Sequence, residues 1–205
     1  MMLKLSQLIS LIQKGSVFVH KLNPMNALGG NAAQVDKIGH LTLTGNNNLA
    51  LASVSARLGK QKACHKHLKA LIGDVPGPGS CRFDDPVSGY WMGPDSWMMI
   101  APHDTHEHLA TDLKARFAET ASITEQTDGW CCFDVQGETV ERLIERLCNI
   151  NIREMKSGDA HRTSIEHLSC FVLRCDPMDH VRIFGPRSSV GSLHHALVTV
   201  MKAIA

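Results

Sequence analysis

The sequence predicts an α+β fold. Three observations carry the prediction. Residues 90–117 read as strand, tight turn, strand, helix; residues 170–184 read as a hairpin; and residues 60–72, 138–147 and 187–204 each carry an apolar stripe at helical spacing. Strands that pair with their neighbours in sequence, beside helices with one apolar face, build sheets covered by helices on one side.

In order, Leu5, Leu8, Ile9 and Ile12 give helical spacing, so an amphipathic helix closing near Gly15 is expected. Ser6, Gln7, Ser10 and Gln13 interrupt the apolar run and argue against a secretion signal. Residues 15–48 hold the turn clusters Asn23-Pro24, Gly29-Gly30-Asn31 and Gly45-Asn46-Asn47-Asn48 and read as an irregular arm. The expected division is therefore a helix and arm over 1–47 and an α+β domain over 48–205. Within that domain, residues 73–80, with two prolines and three glycines, form a connection or a hinge between two lobes.

Residues 49–58 mix small and apolar side chains on both faces, as a central strand does, and Gly59 ends them. In residues 60–72, Cys64, Leu68, Leu71 and Ile72 form the apolar stripe, with Lys60, Lys62, Lys66 and Lys69 outside it. Tyr90 to Met92 are strand formers, Gly93-Pro94-Asp95 turns the chain, and Trp97 to Ile100 is apolar on both faces. Leu109, Leu113 and Phe117 fall four apart on a helix that Asp104 or Thr105 can cap. Residues 122–127 and 130–136 are strands, the second with Cys131, Phe133 and Val135 on its apolar face, and Gly137 leads into a helix carrying Val140, Leu143, Ile144 and Leu147 inward. Residues 149–152 and 162–168 are shorter strand candidates. The hairpin pairs residues 170–175 with 180–184, and the last helix carries Val190, Leu193, Leu197, Val200 and Ile204. A strand, a Pro-containing turn and a helix recur around Gly93-Pro94 and around Gly185-Pro186.

Twenty-one basic and twenty acidic residues give a net charge of +1, without the basic excess that nucleic acid or an anionic membrane attracts. No run approaches the roughly 18 apolar residues of a membrane helix. Seven cysteines without a signal peptide point to reduced thiols and a cytoplasmic protein.

Candidate chemistry is sparse. His103, His106 and His108 are too close along one helix start to converge, Cys64 and His67 lack further ligands nearby, and Cys131 and Cys132 face opposite sides of a strand. Neither a G-x-S-x-G elbow nor a glycine-rich nucleotide loop occurs. Arg187-Ser188-Ser189 at a helix start reads as an ordinary cap, and Asp134 as a strand-edge carboxylate. The residues point to no catalytic, cofactor or metal site.

Gly93, Pro94, Asp95, Ser96 and Trp97, followed by an apolar strand and Ala101-Pro102, resemble a motif of the gamma subunits of heterotetrameric sarcosine oxidases. The resemblance continues through Phe133-Asp134-Val135-Gln136-Gly137 and Phe184-Gly185-Pro186-Arg187-Ser188 and covers residues 48–205. It implies a fold of split β-α-β modules similar to the folate-binding aminomethyltransferases. It also implies a non-catalytic assembly subunit, docked on a large alpha subunit and through it on beta and delta subunits. The complex would demethylate sarcosine oxidatively to glycine with FAD, FMN, NAD and tetrahydrofolate, all held by the partners. The alternatives are a stand-alone folate-binding protein or aminomethyltransferase-like enzyme, and the equivalent subunit of a complex acting on another N-methyl amino acid.

Overall fold

A computed structural model describes residues 25–205. The expected N-terminal helix lies outside the described residues. The strands are β1 (Val35–Ile38), β2 (Leu41–Gly45), β3 (Leu49–Ala56), β4 (Cys81–Arg82), β5 (Ser88–Gly93), β6 (Ser96–Pro102), β7 (Ala121–Glu125), β8 (Trp130–Gln136), β9 (Ala160–Ile165), β10 (Leu168–Arg174) and β11 (His180–Pro186). The helices are α1 (Gln61–Ile72), α2 (His103–His106), α3 (Leu109–Phe117), α4 (Val140–Leu147) and α5 (Val190–Ile204).

The strands form two antiparallel sheets, one in the order β4-β5-β6-β3-β7 and one in the order β1-β2-β8-β11-β10-β9. Side-chain alternation then sets the layers. On β6, Trp97, Met99 and Ala101 pack with Cys64, Leu68 and Phe117 of α1 and α3, while Met98 and Ile100 face the other sheet. On β8, Phe133 and Val135 pack under Leu143 of α4 and Leu193 of α5, while Cys132 faces inward. Leu51, Tyr90 and Met98 meet Phe171, Leu173 and Phe184 between the sheets, with Tyr90 stacked on Phe184 at 5.5 Å. The order is helices, sheet, sheet, helices, an α+β architecture with its helices on the outer faces. Among the described residues, no helix is long and apolar enough to cross a membrane.

Several expectations are corrected. Residues 35–38 and 41–45 are strands, with Leu41 and Leu43 buried in the six-stranded sheet, rather than part of an irregular arm ending at 47. Their Leu-Thr-Leu-Thr alternation is short and sits between Gly39 and the Asn46 cluster, so turn residues mask it. Residues 73–80 are no hinge between lobes. They join α1 to β4, and the chain passes between the sheets at 46–48 and 126–129. Strand β3 ends at Ala56, leaving Leu58 in a turn. Residues 149–152 turn instead of extending, since the Ile152 N–H donates to the Ile150 carbonyl. Strand β9 stops at Ile165 because Glu166 and His167, both at positive φ, make the turn into β10. Neither Asp104 nor Thr105 caps a helix through its side chain: α2 begins at His103, and Asn48 Oδ1 accepts the Asp104 N–H.

Candidate functional site

The two crossing segments, 46–48 and 126–129, precede strands in the same position of each sheet. Leu49 lies opposite Pro102 as Trp130 lies opposite Pro186. In each lobe the next residue past the proline donates its N–H to the carbonyl just before β3 or β8: His103 to Asn48 at 3.3 Å, Arg187 to Gly129 at 3.1 Å. Pro102 and Pro186 both hold extended backbone, φ −61 and −64, and each opens a short helical turn. The repeat noticed in the sequence is thus real, but its first member is Ala101-Pro102 and not Gly93-Pro94.

Between these equivalent junctions lies a cavity of about 280 Å³. His103, Arg187, Asn46, Thr127, Trp130 and Leu49 line it, and residues of the 25–34 segment cover one side. Arg187 links two other lining residues, donating from Nη2 to the Met25 carbonyl at 2.9 Å with Nη1 3.7 Å from Asp128. Among the described residues, Asn26 Oδ1 is buried there without a hydrogen-bond partner.

Asn46 connects the cavity to a polar hub. Its Nδ2 donates to Asp134 Oδ2 at 2.8 Å, Arg182 donates to both carboxylate oxygens at 2.7 and 3.1 Å, and His180 Nε2 lies 3.1 Å from Oδ1. The Asp134 side chain is only 15% exposed. Burial pushes its carboxyl up, but the hydrogen bonds from His180 and Arg182, the Arg182 charge and Asn46 together outweigh burial and hold it well below the usual carboxylate range. Asp134 is therefore not a strand-edge residue, since β8 lies between β2 and β11. A carboxylate so bonded is a poor proton acceptor.

Four buried cysteines are no readier to react. Burial pushes the Cys131 and Cys175 thiols up to about 11 and Cys81 and Cys170 up to about 12, which keeps them protonated. Among the described residues, no three His, Cys, Asp or Glu side chains converge as metal ligands would. The cavity has room for a small molecule; among the described residues, its lining hydroxyl Thr127 and thiol Cys131 hydrogen-bond to backbone and not to a His, Asp or Glu side chain.

The motif residues fall in two places. Gly93, Pro94 and Asp95 form the β5–β6 turn, with Asp95 at φ 54 accepting the Ala56 N–H on its carbonyl. Trp97 Nε1 donates to the Pro76 carbonyl at 2.8 Å, pinning the 73–80 loop, and its ring meets His65 edge-on at 5.3 Å. Of these four, Trp97 packs in the helix-facing layer of the five-stranded lobe, and the other three shape the hairpin that leads into it. Arg187 alone reaches the cavity, and Ser188 stands beside it in the turn Arg187–Ser189. The missed residues Asn46 and Asp128 sit in polar turns, a signal that marks loops without saying what they surround, and Thr127, expected to end a strand, lies past β7, which stops at Glu125.

Neither a family model nor a curated protein matches the chain. Solved structures do. A chain of heterotetrameric sarcosine oxidase from Corynebacterium sp. U-96, in complex with pyrrole 2-carboxylate, superposes with a TM-score of 0.71 at 19% identity, over 83% of this chain and 88% of that one. The glycine cleavage system aminomethyltransferase T from Bartonella henselae gives a TM-score of 0.60 at 11% identity, over 78% of this chain and 46% of that one. This chain thus matches a little under half of the aminomethyltransferase. The expected fold is the observed one: the chain has the architecture found in heterotetrameric sarcosine oxidase and in aminomethyltransferase T.

Proposed function

We propose that this chain is a non-catalytic assembly subunit of the gamma type in a heterotetrameric sarcosine oxidase. It docks on the large alpha subunit and through it on beta and delta subunits, which hold FAD, FMN, NAD and tetrahydrofolate and carry out the oxidative demethylation of sarcosine. The observation that carries this reading is the near whole-length match, 83% of this chain against 88% of the sarcosine oxidase chain. The bonded state of Asp134 and the protonated thiols agree with a chain that leaves the chemistry to others. Purification of the tagged chain from its native host tests the reading. Stoichiometric larger subunits with flavin absorbance and sarcosine-dependent peroxide production are the expected result; a colourless protein that purifies alone overturns it. Activity with a different N-methyl amino acid would keep the assembly role and change the substrate.

The seam cavity favours a second reading, a stand-alone folate-binding protein. Its size weighs against that reading, since about 280 Å³ lies at or below the roughly 300–1,000 Å³ of ligand sites. Calorimetric titration with tetrahydrofolate separates the two: the assembly reading predicts no saturable heat from the isolated chain.

A further inference from the structure

Helices α1 and α4 hold the same position, following β3 and β8 in their lobes, and their outer faces differ in charge. Helix α4 carries Glu141, Glu145, Arg142 and Arg146, two of each sign; Glu141 accepts from Arg174, and Glu145 pairs with Arg153. Helix α1 contains no acidic residue. Lys62, Lys66 and Lys69 lie exposed on one side of it, with exposed Lys60 and Arg57 in the turn before it. None of these five cations forms an ion pair among the described residues. At the tip of that turn, closed by the Lys60 N–H donating to the Arg57 carbonyl at 2.8 Å, Leu58 is 96% exposed.

An exposed leucine or a lysine row is ordinary surface taken alone. Here an exposed apolar tip stands beside a helix that carries cations and no acid, at a place where the sister helix carries equal numbers of both signs, although its Arg142 and Arg146 also form no ion pair among the described residues. The apolar side of α1, Cys64, Leu68 and Ile72, is fully buried against the sheet and is not free to enter a lipid surface. A basic patch confined to one helix, in a chain of net charge +1, is small beside the extended basic tracks that hold nucleic acid.

We propose that the outer face of α1 and the 57–60 turn are a docking surface for an acidic face of a partner polypeptide, with Leu58 entering an apolar recess. This rests on the assembly reading and names the surface it would use. The test takes the full chain and the larger subunits that co-purify with it, and measures their affinity for the wild-type chain, for K62E/K66E/K69E and for L58A. The substituted positions are exposed, and a thermal melt confirms folding of each variant. The triple variant is expected to bind about tenfold or more weakly, L58A several-fold more weakly, and wild-type binding is expected to weaken as salt rises. Zero-length carbodiimide coupling is expected to join Lys62, Lys66 or Lys69 to partner carboxylates. Undiminished affinity of both variants overturns the surface and leaves the assembly reading standing. Failure of any larger subunit to bind the wild-type chain overturns both. Binding to phosphatidylserine vesicles or duplex DNA that only the triple variant loses, with subunit affinity unchanged, overturns the proposal in favour of those ligands.

Discussion

In the five-stranded lobe the chain runs β3, α1, β4, β5, β6, α3, and returns as β7 beside β3. In the six-stranded lobe the same order runs β8, α4, β9, β10, β11, α5, and there the described chain ends. The place beside β8 is filled by β2, from the other side of the first lobe in sequence. One lobe closes with a strand from its own continuous segment, β7 lying 65–73 positions on from its β3 partners; the other closes with β2, 88–94 positions back from its β8 partners and from before the first lobe, a less local kind of pairing. The lobe with the remote strand also holds the polar hub. Thr44 of β2 lies opposite Asp134, and Asn46, just past β2, donates to it. The position of Asp134 in the other lobe is Ser53, between Thr124 and Met98, where no charge is buried.

This contrast is sharpest at those two residues. Asp134→Ala strands the largely buried Arg182 and is expected to cost about 3–5 kcal/mol, whereas Ser53→Ala stays within about 1 kcal/mol. Urea midpoints read both, and equal losses would erase the distinction between the lobes. Gly137 and Gly59, which follow β8 and β3 in the two lobes, give a second pair. Both have positive φ, but a Cβ on Gly137 would stand 1.8 Å from the His40 carbonyl oxygen, beside β2, while Gly59 has open space. Gly59→Ala should cost about 1–2 kcal/mol for its backbone alone. Gly137→Ala adds roughly 1–3 kcal/mol of steric displacement to that.

Acid should separate the lobes as well. The folded state holds the Asp134 carboxyl below its unfolded value of about 3.9. Its contribution is therefore complete above that value and is lost as pH falls below it. Hydrogen exchange below about pH 4 is expected to loosen β8 and β11 before β3 and β6, and Asp134→Asn is expected to abolish the pH dependence of that difference. Parallel loosening in the wild-type chain would count against the hub.

Much of the fold was legible because its signals are local. The alternation of Cys131, Phe133 and Val135 placed β8, the unbroken Trp97 to Ile100 run announced a strand buried on both faces, and stripes such as Cys64, Leu68 and Ile72 placed the helices. What stayed hidden is non-local. Four residues, Leu41 to Thr44, cannot say which strand they will join. Asp134 looked like an edge residue because Asn46, His180 and Arg182 lie 88, 46 and 48 positions away. The cavity was invisible for the same reason, since Asn46, His103, Thr127 and Arg187 meet only once both lobes have formed.

The role proposed for the whole is to assemble without catalysing. Its most direct test is to remove this chain from the native host and measure both the amount of assembled flavoprotein complex and its sarcosine-dependent turnover per flavin. A lower yield of complex, with unchanged turnover in whatever complex remains, is the predicted result. Full assembly without the chain, or intact assembly with turnover lost, would contradict it.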